Sequence, residues 1–152
     1  MRIALYEPEI AGNVGAVLRL GACLGVPVDL IEPMGFAWED ARVRRTAMDY
    51  IDHVVVTRHK DFASFRETLG EARLILLTTK AEGSFYDARF KQSDILLFGR
   101  ESAGVPLAVA DACDMKLKIP TVPGVRSLNM AMAAGIAASE ALRQLRQTPV
   151  PA

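Results

Sequence analysis

The sequence predicts an α/β fold, a parallel sheet with helices on both faces, and three observations carry that expectation. Six short segments, at 2–6, 28–31, 54–57, 74–78, 95–98 and 115–119, are mostly apolar without alternation, the pattern of strands covered on both faces. Helical stretches fill the gaps, at 14–24, 38–46, 61–69, 106–112 and 128–146, and strands alternating with helices define the class. Finally, three strands end in glycine- or proline-bearing turns that lead straight into a helix, within 6–19, 98–106 and 119–139. These three corners hold nearly all the functional signal.

The 152 residues have the length of one domain, expected at 1–147, with a short tail at 148–152 that carries two prolines and is expected to be disordered. Hydrophobic residues at 51% and charged residues at 24% describe an ordinary globular chain. No apolar run approaches the roughly 20 residues of a membrane span, and the start MRIALYEPEI has no secretory pattern. A cytoplasmic protein without membrane contact is therefore expected. Basic and acidic residues balance at 18 each, so a nucleic acid would have to be held by a local patch. Cys23 and Cys113 lie in apolar helical surroundings without motif partners and read as reduced packing residues, with no metal site and no disulfide.

In the first corner, residues 7–12 make a turn and Asn13 stands where it would cap a helix beginning at Val14. From Val14 to Gly25 the one charged residue is Arg19. It either snorkels to water along an apolar surface or is held in a cleft to meet an anion or a polar substrate. Gly15, Gly21 and Ala22 let another backbone come close, for helix packing or for a ligand. In the second corner Gly99 allows a ligand to approach the backbone, and Pro106 opens the next helix. Glu101 is either a solvated carboxylate or the orienting partner of an amide or arginine such as Asn13 or Arg19.

The third corner presents backbone. Pro120 and Pro123 stiffen a loop and remove donors from it, so its remaining carbonyls and amides can face a ligand. Ser127 is a helix cap or a site residue, and Asn129 a first-turn residue or a site residue. In the helix that follows, Ala131, Ala134, Gly135 and Ala138 share one face and Met132 with Ile136 the other, so burial of both faces is expected, one of them against a second subunit. Two basic clusters stand out on the neutral chain: Arg42, Arg44 and Arg45 around one helix, and Arg58, His59 and Lys60 after the third strand. Phosphate contact is their expected use, with a solvated helix face as the alternative.

Asn13-x-Gly15-x-x-x-Arg19, Phe98-Gly99-x-Glu101-x-x-Gly104-x-Pro106 and Ile119-Pro120 leading to Ser127-Leu128-Asn129 together resemble the SPOUT class of RNA ribose methyltransferases. With Glu32-Pro33-Met34-Gly35-Phe36-Ala37-Trp38, Arg44-Arg45, Asp49-Tyr50 and Thr78-Thr79-Lys80 added, the likeness extends over residues 1 to about 147, toward the single-domain tRNA (cytidine/uridine-34) 2'-O-methyltransferases. The resemblance implies a deep C-terminal trefoil knot, which periodicity alone does not supply. It implies S-adenosylmethionine as methyl donor, leaving S-adenosylhomocysteine, and a homodimer packed through the first and last helices. The implied substrate is the ribose 2'-hydroxyl of the wobble nucleotide, cytidine or 5-carboxymethylaminomethyluridine, in the anticodon stem-loop of tRNA, leucine tRNAs among them. Carried over by position, Leu77, Thr78, Thr79, Gly99, Glu101, Ile119, Ser127 and Leu128 bind the cofactor. Arg19, Asn13, Glu101 and Asn129 surround the reacting centre, and Arg42, Arg44, Arg45, Arg58 and Lys60 are expected on RNA.

A guanidinium with a pKa above about 12 is a poor base. Arg19 is therefore expected to act electrostatically, lowering the hydroxyl pKa or clamping the adjacent phosphate, with Glu101 and Asn13 orienting it. Three readings compete. A dinucleotide-binding enzyme could use Glu32 on a ribose, but Gly12 and Gly15 do not make its glycine fingerprint. A 2'-O-methyltransferase of another tRNA or rRNA nucleotide, and a noncatalytic RNA-binding dimer, are the others.

Overall fold

The computed structural model describes residues 1–145; the tail at 148–152 and residues 146–147 of the expected domain lie outside them. In chain order the elements are β1 (Arg2–Tyr6), α1 (Ala11–Leu24), β2 (Val28–Ile31), α2 (Ala41–Ala47), β3 (Val56–His59), α3 (Phe62–Glu67), β4 (Leu74–Leu77), β5 (Gly83–Ser84), β6 (Ile95–Phe98), α4 (Leu107–Asp111), β7 (Met115–Lys118) and α5 (Met130–Leu145). Short 3₁₀ segments occupy Met48–His53 and Phe85–Asp87. The strands form one seven-stranded sheet in the order β3-β2-β1-β6-β4-β7-β5, and every pairing is parallel. Among the described residues no helix is long and apolar enough to cross a membrane.

Continuous apolarity in the strands has the expected cause. Ile3, Leu5, Leu96 and Phe98 face one layer, which holds α1, α2 and α5, while Ala4, Tyr6, Ile95 and Leu97 face the other, which holds α3 and α4. The inner strand residues Ile3, Leu5, Ile95, Leu96 and Leu97 are fully buried, and each such side chain contributes about 1.5–3 kcal/mol relative to exposure. At Gly15 a Cβ would stand 2.6 Å from the Val43 carbonyl, so its lack of side chain lets α2 cross close to α1. At the amino ends of the strands the fully buried Asp94 is gripped by Arg73, with Nε–Oδ1 2.8 Å and Nη2–Oδ2 2.7 Å.

Several boundaries differ from the sequence reading, each for a local reason. Helix α1 begins at Ala11, not Val14, and Ile10 precedes it without a side-chain cap; Asn13 is thus inside the first turn, its amide used elsewhere. Asp40 accepts from the Arg42 amide and starts α2 at Ala41, leaving Trp38 outside the helix. Strand β3 sits at Val56–His59, two residues later than expected. Asn129, and not Ser127, caps α5, accepting from the amides of Ala131 and Met132 at 2.9 and 3.3 Å. Of the two faces of α5 expected to be buried, that of Ala134 and Ala138 is buried within the chain, while Met132 on the other is 62% exposed. Cys23 is exposed as well, not a packing residue. Cys113 is half-buried, and burial pushes its thiol up to about 11.

Candidate functional site

The carboxyl ends of β6, β4 and β7 lie side by side, the edge where open α/β sheets hold ligands. A cleft of about 730 Å³ opens there, well within the range of small-molecule sites. Its walls include Leu77, Thr78 and Thr79 at the end of β4, Gly99 and Glu101 after β6, and Ile119, Ser127 and Leu128 after β7. All eight positions expected to hold a cofactor are therefore brought together, although they are spread over 52 residues of chain. Asn13, Phe98 and Asn129 line the same space, as do Ile10 and Leu107, which the sequence reading did not single out.

The polar residues at the rim form one hydrogen-bonded line. Asn13 Nδ2 donates to Glu101 Oε1 at 3.2 Å, and Asn129 Nδ2 donates to Asn13 Oδ1 at 2.9 Å. The second oxygen of Glu101, Oε2, accepts from the Glu9 amide at 2.9 Å. Because a carboxylate can only accept, it fixes which end of Asn13 points where, and Asn13 in turn fixes Asn129. Glu101 is thus no solvated loop carboxylate; it joins the first corner to the second.

The second corner can approach so closely because of glycine. Arg100 and Gly104 exchange backbone hydrogen bonds of 3.0 and 2.8 Å, and a Cβ on Gly99 would lie 2.6 Å from the Gly104 carbonyl carbon. Arg100 turns back, with its guanidinium 3.3 Å from Glu7 and over the Tyr6 ring. Glu9 accepts from both the amide and the hydroxyl of Ser102, at 2.9 and 2.7 Å. Those bonds, the hydroxyl's first, hold the Glu9 carboxyl below its ordinary range. Neither Glu9 nor Ser102 was singled out in the sequence; a carboxylate after a proline and a loop hydroxyl look like solvated turn polarity until the fold pairs them.

Arg19 is not in this cleft. It is exposed on α1, 5.1 Å from the Tyr50 ring centroid, with Nη1 3.5 Å from the Met48 sulfur. Neither Glu101 nor Asn13 contacts it, so they do not orient it within the chain. The basic clusters also divide. Arg42 is tied to Asp40, Nη2–Oδ2 2.6 Å, and that guanidinium holds the Asp40 carboxyl at about 2. Arg58 donates to Glu32 at 2.6 Å and stacks over Trp38, so Glu32 does not face the cleft as a ribose ligand would. His59 is buried, 2.8 Å from Asp29, and belongs to the core rather than to a patch. Arg44, Arg45 and Lys60 are exposed and make no ion pair among the described residues.

Known proteins share this layout. A tRNA (cytidine(34)-2'-O)-methyltransferase of Beijerinckia indica is 50% identical, aligned over 94% of this chain and 91% of its own. A structure solved for insight into the 2-OH methylation of C/U34 on tRNA superposes with a TM-score of 0.92 at 45% identity, covering 95% of both chains. The SpoU methyltransferase AviRb from Streptomyces viridochromogenes, crystallised with AdoMet, shares the fold at 23% identity and TM-score 0.89, over 96% of this chain and 58% of that one. A profile of the SpoU rRNA Methylase family matches residues 1–139, and the chain belongs to that family.

Proposed function

We propose that the protein transfers a methyl group from S-adenosylmethionine to the ribose 2'-hydroxyl of nucleotide 34 of tRNA. The carrying observation is the cleft at the ends of β6, β4 and β7, rimmed by the Glu101–Asn13–Asn129 line. Relatives named for this reaction at cytidine 34 or at C/U34, 45–50% identical over most of the chain, support the choice of nucleotide. Cytidine or 5-carboxymethylaminomethyluridine at the wobble position, in leucine tRNAs, is the proposed substrate, met in the cytoplasm through the anticodon stem-loop.

The residues of the cleft fit the donor. Leu77, Ile119 and Leu128 offer apolar surface, and Gly99 leaves room for close approach, which suits a nucleoside held mostly by main chain. When bound, S-adenosylmethionine supplies an electrophilic methyl group on a sulfonium. What the chain contributes is alignment of two reactants in line, exclusion of water and help with the hydroxyl proton. Asn13 and Asn129, locked in one orientation by Glu101, are proposed to line the ribose side. Arg19 is proposed to place positive charge near the hydroxyl or its phosphate and so lower the hydroxyl pKa.

Arg19 lies on α1, and α1 with α5 is the proposed homodimer face. Met132, 62% exposed on α5, and Ile10, 50% exposed before α1, are the kind of apolar surface that a second copy covers. On the tRNA, Arg44, Arg45 and Lys60 are proposed as the main phosphate contacts, since Arg42 and Arg58 already hold carboxylates. A single domain with a trefoil knot in its last third is the proposed topology. The strand order supports it, with β6 inserted between β1 and β4 and β7 between β4 and β5. Mass spectrometry of tRNA from cells lacking the protein tests the function: a ribose methyl group should be missing at nucleotide 34 alone, and an unchanged tRNA would refute it.

A further inference from the structure

Glu101 reaches Asn13 only because the loop that carries it is fastened to the first corner, and the fastening is reciprocal. Glu9 donates its backbone amide to Glu101 Oε2, at 2.9 Å, while the Glu9 carboxylate accepts both donors of the neighbouring Ser102. Each corner therefore presents a carboxylate to the main chain of the other. Glu9 is itself a rigid post. The Gly35 amide donates to the Pro8 carbonyl at 2.9 Å, and Gly35 packs so closely that a Cβ there would meet Glu9 Cα at 2.9 Å. Glu7 cannot take over the task, because its backbone has a left-handed φ of 42° and its carboxylate faces Arg100.

We propose that Glu9 is a positioning residue for methyl transfer: by holding both donors of Ser102 it fixes the Glu101 carboxylate against Asn13 and so aims the Asn13–Asn129 pair at the reacting edge of the cleft. This role rests on the methyltransferase reading above. Both Glu9 oxygens bond to Ser102 and Glu9 does not line the cleft, so its proposed action runs through the line it anchors. A carboxylate suits the position because it accepts from an N–H and an O–H at once. A glutamine keeps one accepting oxygen and its amide can pair with the hydroxyl as donor, so it should serve in part; an alanine leaves both Ser102 donors unheld.

The test compares wild type, Glu9→Ala, Glu9→Gln and Ser102→Ala for kcat, tRNA KM, donor affinity by calorimetry and melting temperature. Glu9→Ala should lose about tenfold or more in kcat, the penalty of a slightly misplaced reacting geometry, with donor affinity changed much less, and Glu9→Gln should recover most of the loss. Added to Asn13→Ala, Glu9→Ala should cost nothing further, because both act through the same amide. A Glu9→Ala enzyme with wild-type kcat, or with a loss that adds in full to that of Asn13→Ala, overturns the role. So does a loss that appears only as a lowered melting temperature. Should Glu9→Ala fail to fold, Ser102→Ala, which deletes one hydroxyl, carries the same comparison with a smaller expected loss. Wild-type protein that moves no methyl group onto tRNA would instead overturn the functional reading, an outcome distinct from a variant that equals wild type.

Discussion

The two long walls of the cleft are built in opposite ways. On one side the turns at 7–13 and 99–104 are bound to each other by paired carboxylate–amide contacts and a Gly99 that admits no side chain. On the other side the loop at 121–128 is exposed at every residue, Val122 and Val125 at 69% and 57%. Among the described residues, apart from a turn at 123–124, no hydrogen bond ties it to the rest of the chain. The first wall has its geometry before anything binds. The second has its amides and carbonyls left over for a ligand or a second copy, and ordering them takes binding energy. The comparison suggests that alignment of the reacting ribose is preformed, whereas grip on the donor is completed by the donor itself.

Breaking the preformed wall should have the largest effect. Asn13→Ala cuts the line between Glu101 and Asn129; Arg19→Ala, outside that wall, removes the proposed positive charge. Each should lower kcat about a hundredfold at saturating tRNA and donor, measured by methyl incorporation, the usual scale for losing one oriented polar group. Normal turnover in either variant would refute its assigned role. Gly99→Ala should come next: its Cβ would collide with the Gly104 backbone, so the corner must shift, at a cost of about 1–3 kcal/mol in denaturant unfolding together with weakened donor binding.

The open wall is sharpened by a different measurement. Hydrogen exchange of the amides at 121–128 should be fast in the free protein and slow markedly on adding S-adenosylmethionine, while those at 99–104 change little. Equal protection of both segments before binding would erase the distinction. The smallest expected effect concerns pH. Ser102 holds the Glu9 carboxyl below its ordinary value of 4.5. A depressed folded-state pKa stabilises fully above 4.5, and the contribution drains away as pH falls through the lower folded value. Glu9→Gln should therefore flatten the acid side of a melting-temperature profile below pH 4.5 and leave neutral pH nearly unaffected.

Much of this layout is legible in the chain. The apolar runs mark β1, β2, β4 and β6 because both faces of those strands are buried, whereas β3 and β7 read VTRH and MKLK and are only partly covered; the three motif corners mark the cleft because strand ends carry it. What is not legible is pairing across distance. Strand β5 has two residues, Gly83 and Ser84, too few to show a pattern, and the insertion of β6 between β1 and β4 leaves no local trace. Asn13 looks like a cap because capping is what asparagine does near a helix start; only the fold reveals that Glu101, 88 residues away, has claimed its amide. The basic clusters are equally misleading in one dimension, since the carboxylates of Asp40 and Glu32 and the burial of His59 change which cations remain available.

The most direct test is to incubate the purified protein with a tRNA bearing cytidine 34 and methyl-labelled S-adenosylmethionine, then locate the label by nuclease digestion and mass spectrometry. The proposed site predicts a single methyl group, on the 2'-oxygen of nucleotide 34, that disappears with Asn13→Ala. Label on a base, label at another nucleotide, or no transfer while the donor binds would contradict it.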